Sequence, residues 1–190
     1  MKSAKRLTIV ITISLFTSLV LAQEGKTSKD LTEEAVTTQH ELLINNTALR
    51  YTATAGTILL RDKKQNPTAS IFYVAYTLGN SDSIRPITFS FNGGPGSSSV
   101  WLHLGILGPQ RVKMGEKGEL LPPPYQLVDN IYSVLPNTDL VFIDPVGTGF
   151  SVSADTIPEE TFYGIDDDIQ SIAEFIRYIY LKIIALILQN

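Results

Sequence analysis

Few side chains in this sequence could do covalent chemistry, and that narrows what it could catalyse. The 190 residues contain no cysteine and two histidines, His40 and His103. A thiol nucleophile, an iron–sulfur cluster and a disulfide framework are therefore excluded, and little is left for a zinc site. What remains is hydroxyl and backbone chemistry. Asn92-Gly93-Gly94-Pro95-Gly96 runs into Ser97-Ser98-Ser99, a glycine-rich turn at the mouth of an apolar, helix-like run. Free backbone N–H groups at a helix start can meet a developing oxyanion, and glycine permits the close approach this needs. Alone, such a turn is weak evidence and is more often only a chain reversal.

Other arrangements carry less. Ser99 and His103 are four apart and would share a helix face, with Asp144 on a later loop, but a helix surface offers no sharp elbow to present a nucleophile. His103 is expected to be a helix residue with a structural hydrogen bond, and Ser97 to Ser99 are expected to satisfy free amides at the helix start. His40 sits in a polar stretch with nothing to act on. Gly147-Thr148-Gly149 begins like a dinucleotide fingerprint, but Val152 stands where the third glycine belongs. Asp166-Asp167-Asp168 lacks the alternate spacing of a calcium loop and reads as a helix start, with carboxylates at the positive end of the dipole. No metal and no cofactor are expected.

The elements that must position the turn follow from the apolar pattern. Ile87, Phe89 and Phe91 alternate with Thr88 and Ser90 without a charge, so residues 87–91 read as a strand that can be buried on both faces. Strand, glycine turn and helix make half of a βαβ unit. Residues 139–143 (Asp-Leu-Val-Phe-Ile) form a second buried strand, leading into Asp144-Pro145-Val146-Gly147-Thr148-Gly149-Phe150-Ser151. Upstream, residues 41–44, 49–53 and 57–61 read as short strands in hairpins, with turns at Asn45-Asn46 and Gly56, and 69–78 as a longer strand. Residues 115–124, with two glycines and three prolines, read as a loop. From Asp166 onward, Ile169, Ile172, Ala173, Ile176, Ile179 and Tyr180 keep helical spacing.

The longer string Phe91-Asn92-Gly93-Gly94-Pro95-Gly96-Ser97-Ser98-Ser99, with Leu107-Gly108-Pro109, resembles the oxyanion-loop signature of the serine carboxypeptidases, an α/β-hydrolase family. Asn130-Ile131-Tyr132-Ser133 is similar to the family's Asn-Pro-Tyr-Ser element, and residues 140–151 to its strand and Gly-x-Gly-Phe-Ser loop. The likeness runs from about residue 71 to 177. It implies a partial α/β-hydrolase fold: class α/β, a mostly parallel sheet with N-terminal antiparallel hairpins. It also implies that the Gly94 N–H forms half of an oxyanion hole, and that Asn92 and Gly93 hold the C-terminal carboxylate of a peptide substrate. The sequence departs from the family at Ser90, where a tryptophan is usual, at Ser97, where relatives can carry cysteine, and at Ile106. Some members place at that last position a glutamate used in acid-pH carboxylate recognition, so another exopeptidase specificity stays open.

The family's nucleophile elbow, Gly-Glu-Ser-Tyr or more generally Gly-x-Ser-x-Gly, does not occur in these residues. The resemblance places it after the helix that begins at Asp166, with the triad acid and histidine later still. The expected product is thus an N-terminal part of a peptidase that is inactive alone. A non-catalytic peptide-binding module and one half of a split hydrolase are the other readings. Without the nucleophile strand beside it, residues 87–91 would have a bare apolar edge, which predicts self-association or dependence on a chaperone.

Composition bounds the remaining possibilities. A net charge of -4 argues against nucleic-acid binding, and 44% hydrophobic with 18% charged residues excludes a disordered tail. Lys2, Lys5 and Arg6 precede an apolar run over 7–22 that ends Val20-Leu21-Ala22, the pattern of a cleaved signal peptide and of an exported protein with no stable membrane span. The sequon Asn45-Asn46-Thr47 matters only where the host glycosylates exported proteins. The expected organisation is a signal peptide over 1–22, a flexible lead-in over 23–41, the N-terminal part of the hydrolase domain over 42–177 and an apolar tail over 178–190. That tail reads either as an out-of-frame or truncated segment or as a helix end packed into a core.

Overall fold

The computed structural model describes residues 31–44, 46–79, 85–92 and 96–187, the last five by their backbone alone. The signal-peptide segment and the start of the lead-in lie outside them. In chain order the elements are β1 (Ala35–Ile44), β2 (Thr47–Arg61), β3 (Pro67–Leu78), β4 (Ile87–Ser90) and α1 (Val100–Leu102), which continues as a π-helical turn over His103–Leu107. There follow β5 (Gln110–Val112), β6 (Leu127–Asp129), β7 (Asp139–Ile143), β8 (Val152–Ser153), a 3₁₀ turn at Glu159–Phe162 and α2 (Ile165–Ile187).

The main sheet runs β1-β2-β3-β7-β4, with β8 pairing β3. The α/β class and the N-terminal antiparallel hairpins agree with expectation, but the sheet described here is mostly antiparallel, and its one parallel pair is β4 with β7. Parallel neighbours need a long crossover connection, and the described strands include a single one, running through α1, β5 and β6. Arg85 fastens its start: its Nε donates to Asp139 Oδ1 at 2.9 Å and its Nη2 to the Leu135 carbonyl at 2.7 Å, tying the entry of β4 to that of β7.

The sheet is packed on both faces. Ile58, Leu60, Ile71, Tyr73, Val141 and Ile143 meet Ile172, Phe175 and Ile179 of α2. On the other face Leu42, Tyr51, Leu140 and Phe142 pack with Leu135 and, from the first helix, Leu102 and Leu107. Within β7 the side chains alternate between these two cores, which is why an uncharged run without amphipathic pattern marks a strand here.

Two local readings are corrected. Gly56 is no turn; it lies inside β2, opposite Ala35 and Tyr73, where a Cβ would sit 2.6 Å from the Glu34 carbonyl oxygen. Residues 35–41 belong to β1 and not to a flexible lead-in. Val36, Thr37 and Thr38 favour extended backbone, and the hydrogen bonds Thr37 Oγ1 to Thr54 Oγ1 (3.1 Å) and Gln39 Nε2 to Thr52 Oγ1 (2.9 Å) join the strands across an exposed surface. The reversal before Thr47 is as expected, with Asn46 at φ 61°. At the other end α2 continues through residue 177 to Ile187 without a break, and Ile179 is buried.

Candidate functional site

The glycine turn leaves β4 and enters α1, and the structure describes its two flanks. Gly93 and Gly94, the residues expected to supply backbone N–H groups, lie outside the described residues together with Pro95. Asn92 and Ser97 close the turn: Asn92 Nδ2 donates to Ser97 Oγ at 2.9 Å.

Behind the turn stands a buried polar hub built on Asp144, the first residue after β7. Its Oδ1 accepts from the backbone N–H of Ser99 at 2.9 Å and lies 3.1 Å from the Ser99 hydroxyl, and its Oδ2 accepts from the Phe150 N–H at 3.3 Å. The Ser99 hydroxyl also donates to the Ile143 carbonyl. Asp144 and Ser99 are both buried, so each of these groups meets in protein the partner it gives up in water. The carboxylate therefore stops the helix start with negative charge near the positive end of its dipole, a role the sequence assigned to serine hydroxyls; the Ser99 side chain makes no cap.

The 144–151 loop is shaped around that carboxylate. Ser151 Oγ donates to the Asp144 carbonyl at 2.6 Å and accepts from the Phe72 N–H at 2.8 Å, while the Asp144 N–H donates to the Phe72 carbonyl at 3.0 Å. Gly149 has φ +53°, and a Cβ there would lie 1.9 Å from Asp144 Oδ2 and 3.0 Å from Ser98 Cβ. Glycine at this position lets the loop, the carboxylate and the serine trio occupy one place.

The far end of the first helix is held by the Asn-Ile-Tyr-Ser block. Asn130 is fully buried, and its Nδ2 donates to the carbonyls of Ile106 and Gly108, each at 2.8 Å. Ser133 Oγ donates to the Leu107 carbonyl at 2.9 Å. Three carbonyls that a helix end leaves without partners are thus satisfied by two side chains three residues apart. Ile106 is itself exposed and presents an apolar surface to solvent.

The local triad does not assemble. His103 Nε2 pairs with the Tyr76 hydroxyl at 2.6 Å and its ring stacks on Phe142 with centroids 4.6 Å apart. Burial pulls its pKa down to about 4, against an opposing pull from Asp144, so it is a neutral structural imidazole at neutral pH, as its helix position suggested. The same burial raises Tyr76. His40 lies on β1, against Tyr51 and the Thr38 hydroxyl. Among the described residues no group of three His, Cys, Asp or Glu could hold a metal. A groove of about 550 Å³ between residues 31–36 and strands β2, β3 and β8 brings one carboxylate, Glu34, and no second titratable group. It offers no chemistry to compete with the turn.

Sequence reasoning missed the Asp144 hub and the Asn130 clamp. The available signal was an acid between a buried strand and a Pro-Val-Gly turn, with a serine seven residues on; spacing alone does not say that both reach back to another element.

The residues of the site fall within a stretch that a known family matches. Residues 47–176 match the family model described as "Serine carboxypeptidase". Carboxypeptidase Y homolog A of Talaromyces stipitatus is 34% identical over 90 residues, covering 47% of this chain and 15% of that protein. Pheromone-processing carboxypeptidase KEX1 of Saccharomyces cerevisiae is 38% identical over 105 residues, 52% of this chain and 13% of that one. Serine carboxypeptidase-like 45 of Arabidopsis thaliana is 31% identical over 116 residues, 60% and 22%. The matched part of the chain thus spans less than a quarter of the length of these relatives.

Proposed function

The chain belongs to the serine carboxypeptidase family, and from that premise we propose that it carries the oxyanion-binding and carboxylate-holding part of a site that releases residues from the C-terminus of peptides. In this reading the Gly94 N–H faces the oxyanion of the tetrahedral intermediate, and Asn92 with Gly93 receives the substrate's terminal carboxylate. The observation that carries it is the double anchorage of the turn. One flank is the end of β4 in the sheet, and the other is held by Asp144 at Ser99. Oxyanion stabilisation depends on donors fixed before the charge develops, because donors that must reorganise give back much of their advantage.

Hydrolysis also needs an activated nucleophile, and the two buried serines gathered around Asp144 are engaged elsewhere. Ser99 bonds Ile143 and Asp144, and Ser151 bonds Asp144 and Phe72. These 190 residues hold neither Gly-x-Ser-x-Gly nor Gly-Glu-Ser-Tyr. The chain as given is therefore proposed to bind peptide termini without cleaving them, and to be exported through residues 1–22, which would leave Gln23 as the first residue. Among the described residues no helix is long and apolar enough to cross a membrane.

The test is a titration of the purified chain with N-acetyl-tetraalanine as the free acid and as the C-terminal amide, alongside an assay for released alanine. The acid should bind more tightly and no alanine should appear. Equal binding of acid and amide would overturn the carboxylate assignment, and turnover would overturn the division between binding and cleavage.

A further inference from the structure

We propose that Ser97 is a positioning residue for Asn92, fixing which edge of its carboxamide faces an incoming carboxylate; this rests on the carboxylate-holding reading given above. An asparagine side chain has one acceptor and two donors on opposite sides of a rotatable plane. A carboxylate accepts and cannot donate, so it is held only when the NH₂ group faces it and is repelled by the amide oxygen when the plane is turned over.

In this structure Asn92 Nδ2 donates to Ser97 Oγ at 2.9 Å. That bond occupies one of the two N–H groups, leaves the second for a ligand, and sets the plane on the side of the turn where Ser97 sits. Both residues are half-buried, so the bond is partly shielded from competing water. Ser97 keeps this place because the next helix start is anchored two residues on, where Ser99 meets Asp144 through its backbone N–H. A hydroxyl suits this role, since it accepts well from an amide and its own proton rotates to find another partner. A thiol at this position accepts weakly, so the chemistry of the side chain, more than its size, sets the orientation of Asn92.

The test is carried out on the full chain with Ser97→Ala, Ser97→Cys and Ser97→Thr, using N-acetyl-tetraalanine acid and amide as probes and nuclear magnetic resonance of the Asn92 side-chain NH₂. Losing one neutral hydrogen bond should reduce the acid-over-amide preference of Ser97→Ala by about three- to tenfold. Ser97→Thr should restore it, and Ser97→Cys should fall between. In Ser97→Ala the two Asn92 Hδ2 resonances should move together and exchange faster with water, while the midpoint of thermal unfolding stays close to wild type. Unchanged Asn92 resonances in Ser97→Ala overturn the proposal whatever the peptides do. A wild type that binds acid and amide alike sinks the carboxylate reading instead, and the Asn92 resonances then still judge whether Ser97 orients the amide. A preference retained in Ser97→Ala with wild-type affinity also overturns the positioning role.

Discussion

The two halves of the sheet are held by different means. Over residues 35–39 of β1 and the facing part of β2 the side-chain contacts are exposed Thr–Thr and Gln–Thr hydrogen bonds, and further along Glu41 and Arg50 stand 3.6 Å apart across the strands in solvent. Around β4, α1 and β7 the contacts are polar and buried or partly buried: Asp144 with Ser99 and Phe150, Asn130 with two helix carbonyls, Arg85 with Asp139. Exposed pairs contribute little, because water and salt compete for the same groups. A buried group that loses its partner has no such replacement. Buried polar contacts are thus concentrated where a turn must be held still, and the ribbon that carries no candidate site residue is joined by interchangeable ones.

That contrast can be broken most severely at Asp144. Asp144→Ala leaves the buried Ser99 N–H and the Phe150 N–H without their acceptor, and urea denaturation should show a loss of about 4 kcal/mol, several times the worth of a single satisfied bond. A comparable effect is expected with acid at His103. An ordinary imidazole takes up its proton near 6.5 and this one near 4, so the unfolded chain binds the proton first. Stability from this group is complete above about pH 6.5 and falls as the pH is lowered towards 4, by about 3 kcal/mol at most. Urea midpoints measured from pH 7 to 4 should fall less steeply in His103→Gln, which keeps a partner for Tyr76 and does not titrate.

Smaller effects sharpen the same comparison. Asn130→Ala exposes no charge but frees the carbonyls of Ile106 and Gly108, and should cost about 2 kcal/mol in the same urea assay. Thr37→Ala, on the exposed ribbon, should change stability by no more than about 0.5 kcal/mol. If Thr37→Ala were as damaging as Asn130→Ala, the distinction between the two halves would be wrong.

Legibility in the sequence follows the same division. β7 is readable because the uncharged run 140–143, between Asp139 and Asp144, is what burial on both faces demands. α2 is readable from its acids and its period, although Phe175 joins the core while Ile169 stays exposed; a helical stripe broad enough to include both does not say which edge is turned inward. β1 is hidden over residues 35–41 because a strand exposed on both faces has no apolar alternation to reveal it. β5 and β6, three residues each, are too short for any period. Of the site, the turn and its family likeness are legible in the string 91–99 itself. The roles of Asp144, Asn130 and Ser97 are not, because each depends on a partner brought close by the fold, in the first two cases from more than twenty positions away in the chain.

The most direct measurement is amide hydrogen exchange of the intact chain, resolved by residue. The Ser99 and Phe150 amides, both donating to Asp144, should be protected to the level of the β7 amides, and in Asp144→Ala both should exchange faster while the β1 amides stay as they were. Ser99 and Phe150 exchanging as fast as the outward amides of β1 in the wild-type chain would contradict the claim that a buried carboxylate holds the turn in place.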